Sequence, residues 1–383
     1  MTESTDRRII PPGNVIDGYE IIDLIGVGGF GGIYKVKNQK TDQIYAMKTE
    51  SLSSKRHLIP KESEILKELH EDFFPKYQQS GISEQYQINY LIMNCLGVSI
   101  DEIQTYHEYN LDIEIVYHVC LIMLGIIKSF HSHGFVHRDI KPNNFLIQHN
   151  QNFPLVLIDF GLSKRHIDPE TNKPFPCEKE HSFLGTRKYS SNNVLQFLSC
   201  GRRDDLISWF YSFLDLACGK LPWSEVKSDE KVIEIRKSFK LSDLEYKFPE
   251  EFQQIYDYLM TLDYGDEPDY DRITKLYQSG MENDLVFVGQ FDWPSFIEQH
   301  SNLGKFQKEV TQYTLNYINK KNREKQKILD NEAKQENKVK QLNVEKTENE
   351  DKQENEANNI EQGKIGNKNE QSVPEDSGNC LIQ

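Results

Sequence analysis

Little in this chain points to secretion, to membranes or to nucleic acid. Only six of its 383 residues are cysteine, without paired spacing; that argues against a disulfide framework and for a reducing compartment. The opening MTESTDRRII has no apolar stretch of the kind a signal peptide needs. The longest apolar run, Val119 to Ile127, falls short of the ~20 residues that span a bilayer and reads as part of a buried helix. Positive charge is in the minority, 45 Lys and Arg against 60 Asp and Glu for a net charge of −15, which argues against a dedicated nucleic-acid binder. The expectation is a soluble cytoplasmic or nuclear protein. Its 37% hydrophobic and 11% aromatic residues supply a core for one large domain with a tail, or for two ordinary domains.

The chemistry that is present is concentrated between 135 and 161, FVHRDIKPNNFLIQHNQNFPLVLIDFG. Asp139 offers a carboxylate for the proton of an incoming hydroxyl. Asp159 and the amide oxygen of Asn144 are hard oxygen donors of the kind Mg²⁺ takes. Lys141, two residues beyond Asp139, can set positive charge where a transferring phosphoryl group gathers negative charge. The apolar run Pro154-Leu155-Val156-Leu157-Ile158 reads as a buried strand that aims Asp159. The spacing H-R-D-x-K-x-x-N followed by D-F-G resembles the catalytic-loop and metal-loop signature of protein kinases. His131, His133 and His137 also suggest a metal site, but His137 already belongs to the loop and no Cys or carboxylate completes a ligand set.

Upstream, YEIIDLIGVGGFGGIYKVKN reads as two β-rich runs around a glycine turn, with a further strand at 43–49. Gly26, Gly28 and Gly31 fit G-x-G-x-x-G, whose backbone N–H groups can close over phosphates. A dinucleotide-binding fold has the same glycines between a strand and a helix. Here a strand follows them and then Ala46-Met47-Lys48, as in a kinase. Lys48 should hold α- and β-phosphates and pair with a glutamate on the next helix. Ile59, Glu62, Leu66 and Leu69 share one helical stripe, so Glu62 faces inward and Glu64 outward. The strand from Ile88 to Met93 leads to Asn94-Cys95-Leu96-Gly97, and residues 111–133 read as a long buried helix. In a kinase the first of these is the hinge, where backbone groups of Asn94 and Leu96 meet adenine with Met93 behind. The full ATP-binding set implied is Ile25, Gly26, Gly28, Gly29, Phe30, Gly31, Ile33, Ala46, Lys48, Met93, Asn94, Leu96 and Leu146.

The activation segment runs from Asp159 to about Asn193 and ends GTRKYSSNN, with Ser191-Asn192-Asn193 where most kinases have A-P-E. With Arg202-Arg203-Asp204-Asp205-Leu206, Gly219-Lys220-Leu221-Pro222-Trp223, LIDFGLSK and LDYGDEPDY, this resembles the casein kinase I group; AMKTES and SWFYSFL are similar to its tau-tubulin kinase branch. The resemblance covers about 19–296 and implies an α+β, two-lobed fold with a β-rich N-lobe and a helical C-lobe. It implies a serine/threonine kinase using ATP and Mg²⁺ on acidic or already phosphorylated protein substrates, acting as a monomer. Asp205 would then anchor the catalytic loop and Thr186 would touch Asp139 and Lys141. The family's anion site falls on Lys188, with Arg187 adjacent and Lys227 as a second member; lysine there loses an arginine's bidentate fork. Arg138 offers a partner for an activating phosphate on Ser182, Thr186 or Ser190, although the resemblance implies that none is needed.

The expected organisation is a leader at 1–18, a kinase domain at 19–296 (N-lobe 19–94, C-lobe 98–296), a charged helical extension at 297–345 and a disordered tail at 346–383. Val310, Tyr313 and Tyr317 make a short apolar stripe in the extension; farther on, composition is too polar to offset ordering entropy. Cys380-Leu381-Ile382-Gln383 fits C-a-a-X in the form associated with farnesylation. With no polybasic partner signal, one lipid gives marginal, reversible membrane binding. The competing reading is a non-catalytic kinase-fold scaffold tethered by that tail; no catalytic lysine or aspartate is missing to favour it.

Overall fold

The computed structural model describes residues 9–27, 31–148, 153–285 and 291–301, all within one compact unit spanning 1–313. Gly28, Gly29 and Phe30 of the glycine turn, the stripe Val310, Tyr313 and Tyr317, and Cys380 with the rest of the tail lie outside the described residues.

The first lobe is an antiparallel sheet. Its strands are β1 (Val15–Ile16), β2 (Tyr19–Val27), β3 (Gly32–Asn38), β4 (Ile44–Ser51), β5 (Tyr77–Ser83) and β6 (Ile88–Asn94), in the order β1-β2-β3-β4-β6-β5. Side chains alternate across the pleat. Ile21, Tyr34, Val36, Met47, Tyr90 and Ile92 therefore form a small core on one face, which Ile10 and Ile16 close. Ala46, Leu91 and Met93 on the other face pack with Ile59, Ile65 and Leu66 of α1 (Leu58–Glu68). Within the stretch read from sequence as a leader, Val15–Ile16 pair with β2 and Ile10 packs in the small core. Gly13 N donates to Ile21 O and Asn14 O accepts from Ile21 N, both at 2.8 Å.

The second lobe is helical: α2 (Ile100–Tyr106), α3 (Ile113–Ser132), α4 (Asn192–Leu195), α5 (Arg202–Cys218), α6 (Asp229–Ser238), α7 (Glu250–Thr261), α8 (Tyr270–Asp284) and α9 (Trp293–Ser301). Short strands β7 (Phe135–Val136), β8 (Phe145–Ile147), β9 (Leu155–Leu157) and β10 (Lys164–Arg165) carry the catalytic and metal loops. By length and composition α3 is apolar enough to cross a membrane. In this fold Val116, Cys120, Met123, Leu124 and Ile127 are buried, and α3 lies against α5. Trp209 of α5 donates its indole N–H to Cys120 O at 2.8 Å, and Tyr117 stacks on Phe213 and Phe252. Two buried helices locked by rings and an indole hydrogen bond give the catalytic loop a rigid floor.

His166, just past β10, is buried against the Tyr264 ring, and neither ring nitrogen has a hydrogen-bond partner among the described residues. Burial, with the charges of Arg202 and His131 nearby, pushes its imidazolium down to about 4. The unfolded chain therefore takes up a proton near pH 6.5 that the folded chain refuses, and stability falls as pH drops from there towards 4. The unfolding free energy should fall between pH 7 and pH 5 by an amount on the order of 1–3 kcal/mol, with a matching drop in thermal midpoint. A His166→Phe variant should show a visibly flatter profile over that range; an equal slope would remove His166 as its source.

Candidate active site

Lys48 sits on β4 with its ammonium 2.6 Å from Glu62 Oε2 and 2.7 Å from Asp159 Oδ1. Glu62 is 1% exposed, whereas Glu64 points outward to Lys67. Burial alone would lower the Lys48 ammonium, yet Asp159 and Glu62 outweigh it and hold the pKa above the ordinary value. For Asp159 the balance favours the anion: burial works against the charge, but Lys48, His137 and Lys141 hold the carboxyl down to about 2. Glu62 is raised, because burial outweighs the help from Lys48.

The start of α1 has no side-chain cap of its own, and His57 before it is left-handed at φ +48°. The cap comes from β4: Glu50 accepts from Leu58 N at 3.0 Å and from Ile59 N at 3.1 Å. Pro60 in the first turn forfeits no internal bond there. One strand therefore positions the lysine and also the start of the helix that brings its glutamate. Nothing in the spacing of Glu50 announces this; its pairing with α1 depends on the turn between.

On the opposite side, Asp139 is held from both oxygens. Thr186 Oγ1 donates to Oδ1 at 2.7 Å, and Lys141 Nζ lies 2.7 Å from Oδ2 and 2.9 Å from Thr186 Oγ1. Asn144 Nδ2 donates to Asp139 O at 2.8 Å. With its nitrogen committed, the amide oxygen of Asn144 is the atom on offer to a cation. Together with the half-exposed Asp159 carboxylate it makes an all-oxygen donor set that fits a hard divalent ion. Arg138 and Asp159 have φ of +70° and +69°, conformations that carry a cost for residues with a Cβ. The surroundings impose them. Asp205, 1% exposed, accepts from His137 N at 2.6 Å and Arg138 N at 2.8 Å, and lies 3.0 Å from His131 Nε2. Beside Asp159, Phe160 is fully buried among Phe74, Phe130 and His137. Its N–H reaches Glu62 Oε1 at 3.3 Å. None of the three histidines joins a metal cluster among the described residues: His131 bonds Tyr270 and Asp205, His133 bonds Glu71, and His137 meets Ile158 O.

Between these sides lies the hinge. Ala46 is opposite Met93 in the β4–β6 register, and Ile25 and Leu146 are half-buried. Asn94, opposite Tyr45 at the end of β6, accepts from Lys76 N through its side-chain oxygen at 2.7 Å. Ile33 pairs with Lys48 across β3 and β4. Gly31 passes so close to Thr49 O that a Cβ there would collide with it, an approach only glycine allows.

The end of the activation segment rests on Arg236, which sequence patterns did not single out, together with residues of the quoted motifs. Arg236 of α6 is buried over the rings of Tyr211 and Trp223 and donates to Ser190 O at 2.5 Å and Lys188 O at 3.0 Å. Trp223 donates its indole N–H to Lys188 O at 2.9 Å. Ser191 caps α4 and bonds Asp204. Ser190 Oγ is spent on Thr186 O at 3.0 Å, whereas Ser182 is exposed. Asn192 Oδ1 is buried with no partner among the described residues, and nothing in its surroundings explains the residue. In the expected anion site, Lys188 is 2.7 Å from the buried carboxylate of Asp215 and Arg187 pairs with Asp229, while Lys227 is exposed.

A family model of the protein kinase domain matches residues 19–279. The chain belongs to the protein kinase family. A probable serine/threonine-protein kinase of Dictyostelium discoideum is 30% identical over 263 residues, covering 67% of this chain and 52% of its own length. The chain thus spans about half the length of that curated relative. Membership implies ATP and a divalent cation as co-substrate and metal, and the lysine, carboxylates and amide above fit such groups.

Removing the Asp205 carboxylate leaves two buried N–H groups of the kinase's catalytic loop unanswered, each costing about 1–3 kcal/mol. Asp205→Ala should therefore lower the unfolding free energy in urea by about 2–5 kcal/mol, whereas Lys227→Ala on the surface should change it by less than about 0.5 kcal/mol.

Proposed function

We propose that this chain is a serine/threonine protein kinase of casein kinase I type that transfers the γ-phosphoryl group of Mg-ATP to serine or threonine in acidic or already phosphorylated proteins. The observation that carries the reading is the closed set of contacts described above: Lys48 between Glu62 and Asp159, and Asp139 between Thr186 and Lys141. Mg-ATP supplies the phosphoryl group. Asp139 orients the substrate hydroxyl and receives its proton, and Lys141 faces the charge that grows on the phosphoryl oxygens. Lys48 holds phosphates, Asp159 and Asn144 hold metal, and the backbone of Asn94 and Leu96 meets adenine. Such catalysis rests on positioning and electrostatics more than on covalent chemistry.

The casein kinase I assignment is supported by Ser191-Asn192-Asn193, by Arg202-Arg203-Asp204-Asp205 and by Gly219 to Trp223. The exposed Lys227 supports recognition of an acidic or phosphorylated side chain, while Lys188 and Arg187 already face the carboxylates of Asp215 and Asp229, which a substrate phosphate would have to displace. The tail adds transient membrane attachment: read as a C-terminus, Cys380-Leu381-Ile382-Gln383 is a prenylation signal with a single lipid. The kinase then works as a monomer in the cytoplasm or nucleus with a small peripheral membrane fraction; an intact mass with no added prenyl group, after expression in its own cells, would dismiss the attachment.

Wild-type protein should label protein serine or threonine from Mg-ATP, and Lys48→Met or Asp139→Asn should cut kcat by about 10²–10⁴-fold. Absence of any labelling with Mg²⁺ or Mn²⁺ would sink the reading. On paired peptides, a phosphoserine upstream of the target should raise kcat/KM by about tenfold, the scale of one charge-assisted contact. Arg187→Ala with Lys227→Ala should abolish that gain; equal efficiency on both peptides in the wild type would remove the substrate preference and leave the kinase assignment standing.

A further inference from the structure

Cys177 in the activation segment and Cys200 just before α5 are both free thiols. The backbone brings their two stretches together as a short antiparallel ladder. Lys179 is bridged to Leu198, Glu180 N donates to Phe197 O at 2.7 Å, and Ser199 N donates to Glu178 O at 2.9 Å. Ser199 Oγ closes this end by accepting from Glu178 N at 3.2 Å and donating to Glu178 O at 3.0 Å. One residue farther out, the register sets Cys177 opposite Cys200. The ladder bonds flank Lys179 and Leu198 instead of joining them, so that pair and the cysteine pair two residues on are of the non-hydrogen-bonded kind. Such pairs hold Cα atoms about 4.5 Å apart in a regular ladder, within the span that a disulfide bridges. Tyr264 marks the same place independently. Gly201 lies so close to it that a Cβ there would meet Tyr264 O. Burial, then the thiols of Cys177 and Cys200, push the Tyr264 phenol up to about 12. Both sulfurs thus border one hydroxyl.

We propose that Cys177 and Cys200 form a redox-sensitive modification site, at which a hydroperoxide joins them in a cross-strand disulfide that slows turnover until a thiol reductant reopens it. The slowing rests on the kinase reading above; the bond itself does not. The two thiols have unequal parts. Cys177 is exposed and meets the oxidant. Cys200 is 8% exposed, and burial with the carboxylates of Asp205 and Asp204 pushes its thiol well up, so it is a poor target for peroxide in solution. The Cys177 sulfur attacks the peroxide O–O bond and becomes a sulfenic acid; the other oxygen leaves with the thiol proton as an alcohol or, from hydrogen peroxide, as water. The Cys200 sulfur then attacks the Cys177 sulfur, the S–O bond breaks, and the hydroxyl leaves with the Cys200 proton as water. Two thiols give up two electrons, and one peroxide takes them. The effect on turnover comes from where Cys200 sits: its Sγ lies 3.6 Å from Gly201 O and 3.9 Å from Asp205 Oδ1. Turning to Cys177 removes a weak donor from the carboxylate that holds the N–H groups of His137 and Arg138. It also ties the activation segment to the entry of α5.

The test uses the full chain, reduced, freed of reductant and then exposed to hydrogen peroxide in slight excess, as wild type and as Cys177→Ser. Non-reducing peptide maps of wild type should show Cys177 bridged to Cys200, with a loss of two hydrogens in intact mass that dithiothreitol reverses; Cys177→Ser should show neither. A map in which Cys177 stays reduced, goes on to sulfinic acid, or pairs with Cys95 or Cys380 would overturn the site. With Mg-ATP and a casein substrate, oxidised wild type should lose about threefold in kcat and regain it with dithiothreitol. Cys177→Ser should match wild type before oxidation and hold its kcat through the peroxide step. An equal loss in Cys177→Ser would move the effect to another cysteine and overturn the slowing, as would a bridged wild type at full kcat. If reduced wild type transfers no phosphate, the kinase reading has failed, and the map alone decides the site.

Discussion

Everything at the catalytic centre leans on one buried carboxylate. Asp205 is carried by the buried α5 helix, which packs against α3, and it takes the N–H groups of His137 and Arg138 directly. Burial should penalise this charge, but the His131 imidazole and those N–H groups more than compensate and keep its pKa below the ordinary carboxylate value. The reward for keeping it ionised is geometric. Arg138 is held in a left-handed conformation it would otherwise avoid, and Asp139, one residue later, is delivered to Thr186 and Lys141 instead of to solvent. Hydrogen bonds to a charged acceptor are the strong ones, so a loop made of polar residues behaves as a rigid part.

The two lobes meet the nucleotide site by different means. The sheet uses register: Lys48 and Ala46 lie on one face of β4 opposite Leu91 and Met93, and a one-residue slip would bury the lysine in the other core. The helical lobe uses loops clamped from below. Between them, Glu62 answers Lys48 with one oxygen and the N–H of Phe160 with the other, so the glutamate reads the position of both lobes at once.

Much of this was legible in the sequence because it is local. The spacing of His137 through Asn144 and of Asp159 through Gly161 carries its own chemistry, and the stripe from Ile59 to Leu69 picks Glu62 over Glu64 by periodicity alone. The remainder depends on pairs far apart in the chain. Glu50 acting as the cap of α1, Arg236 holding the carbonyls of Lys188 and Ser190, and Asp215 occupying Lys188 have no spacing rule, since each is set by how elements pack. The packing of Ile10 and Ile16 onto the small core of the sheet likewise has no spacing rule. The glycine turn at 28–30 and the tail lie outside the described residues.

Glu50 has a mechanical implication of its own. Because this carboxylate grips the first two amides of α1 from β4, the helix is hinged at its start to the strand that bears Lys48. An outward swing that parted Glu62 from Lys48 would have to wrench β4 out of register or strip the opening turn of its only acceptor. Rotation is thus coupled to fraying.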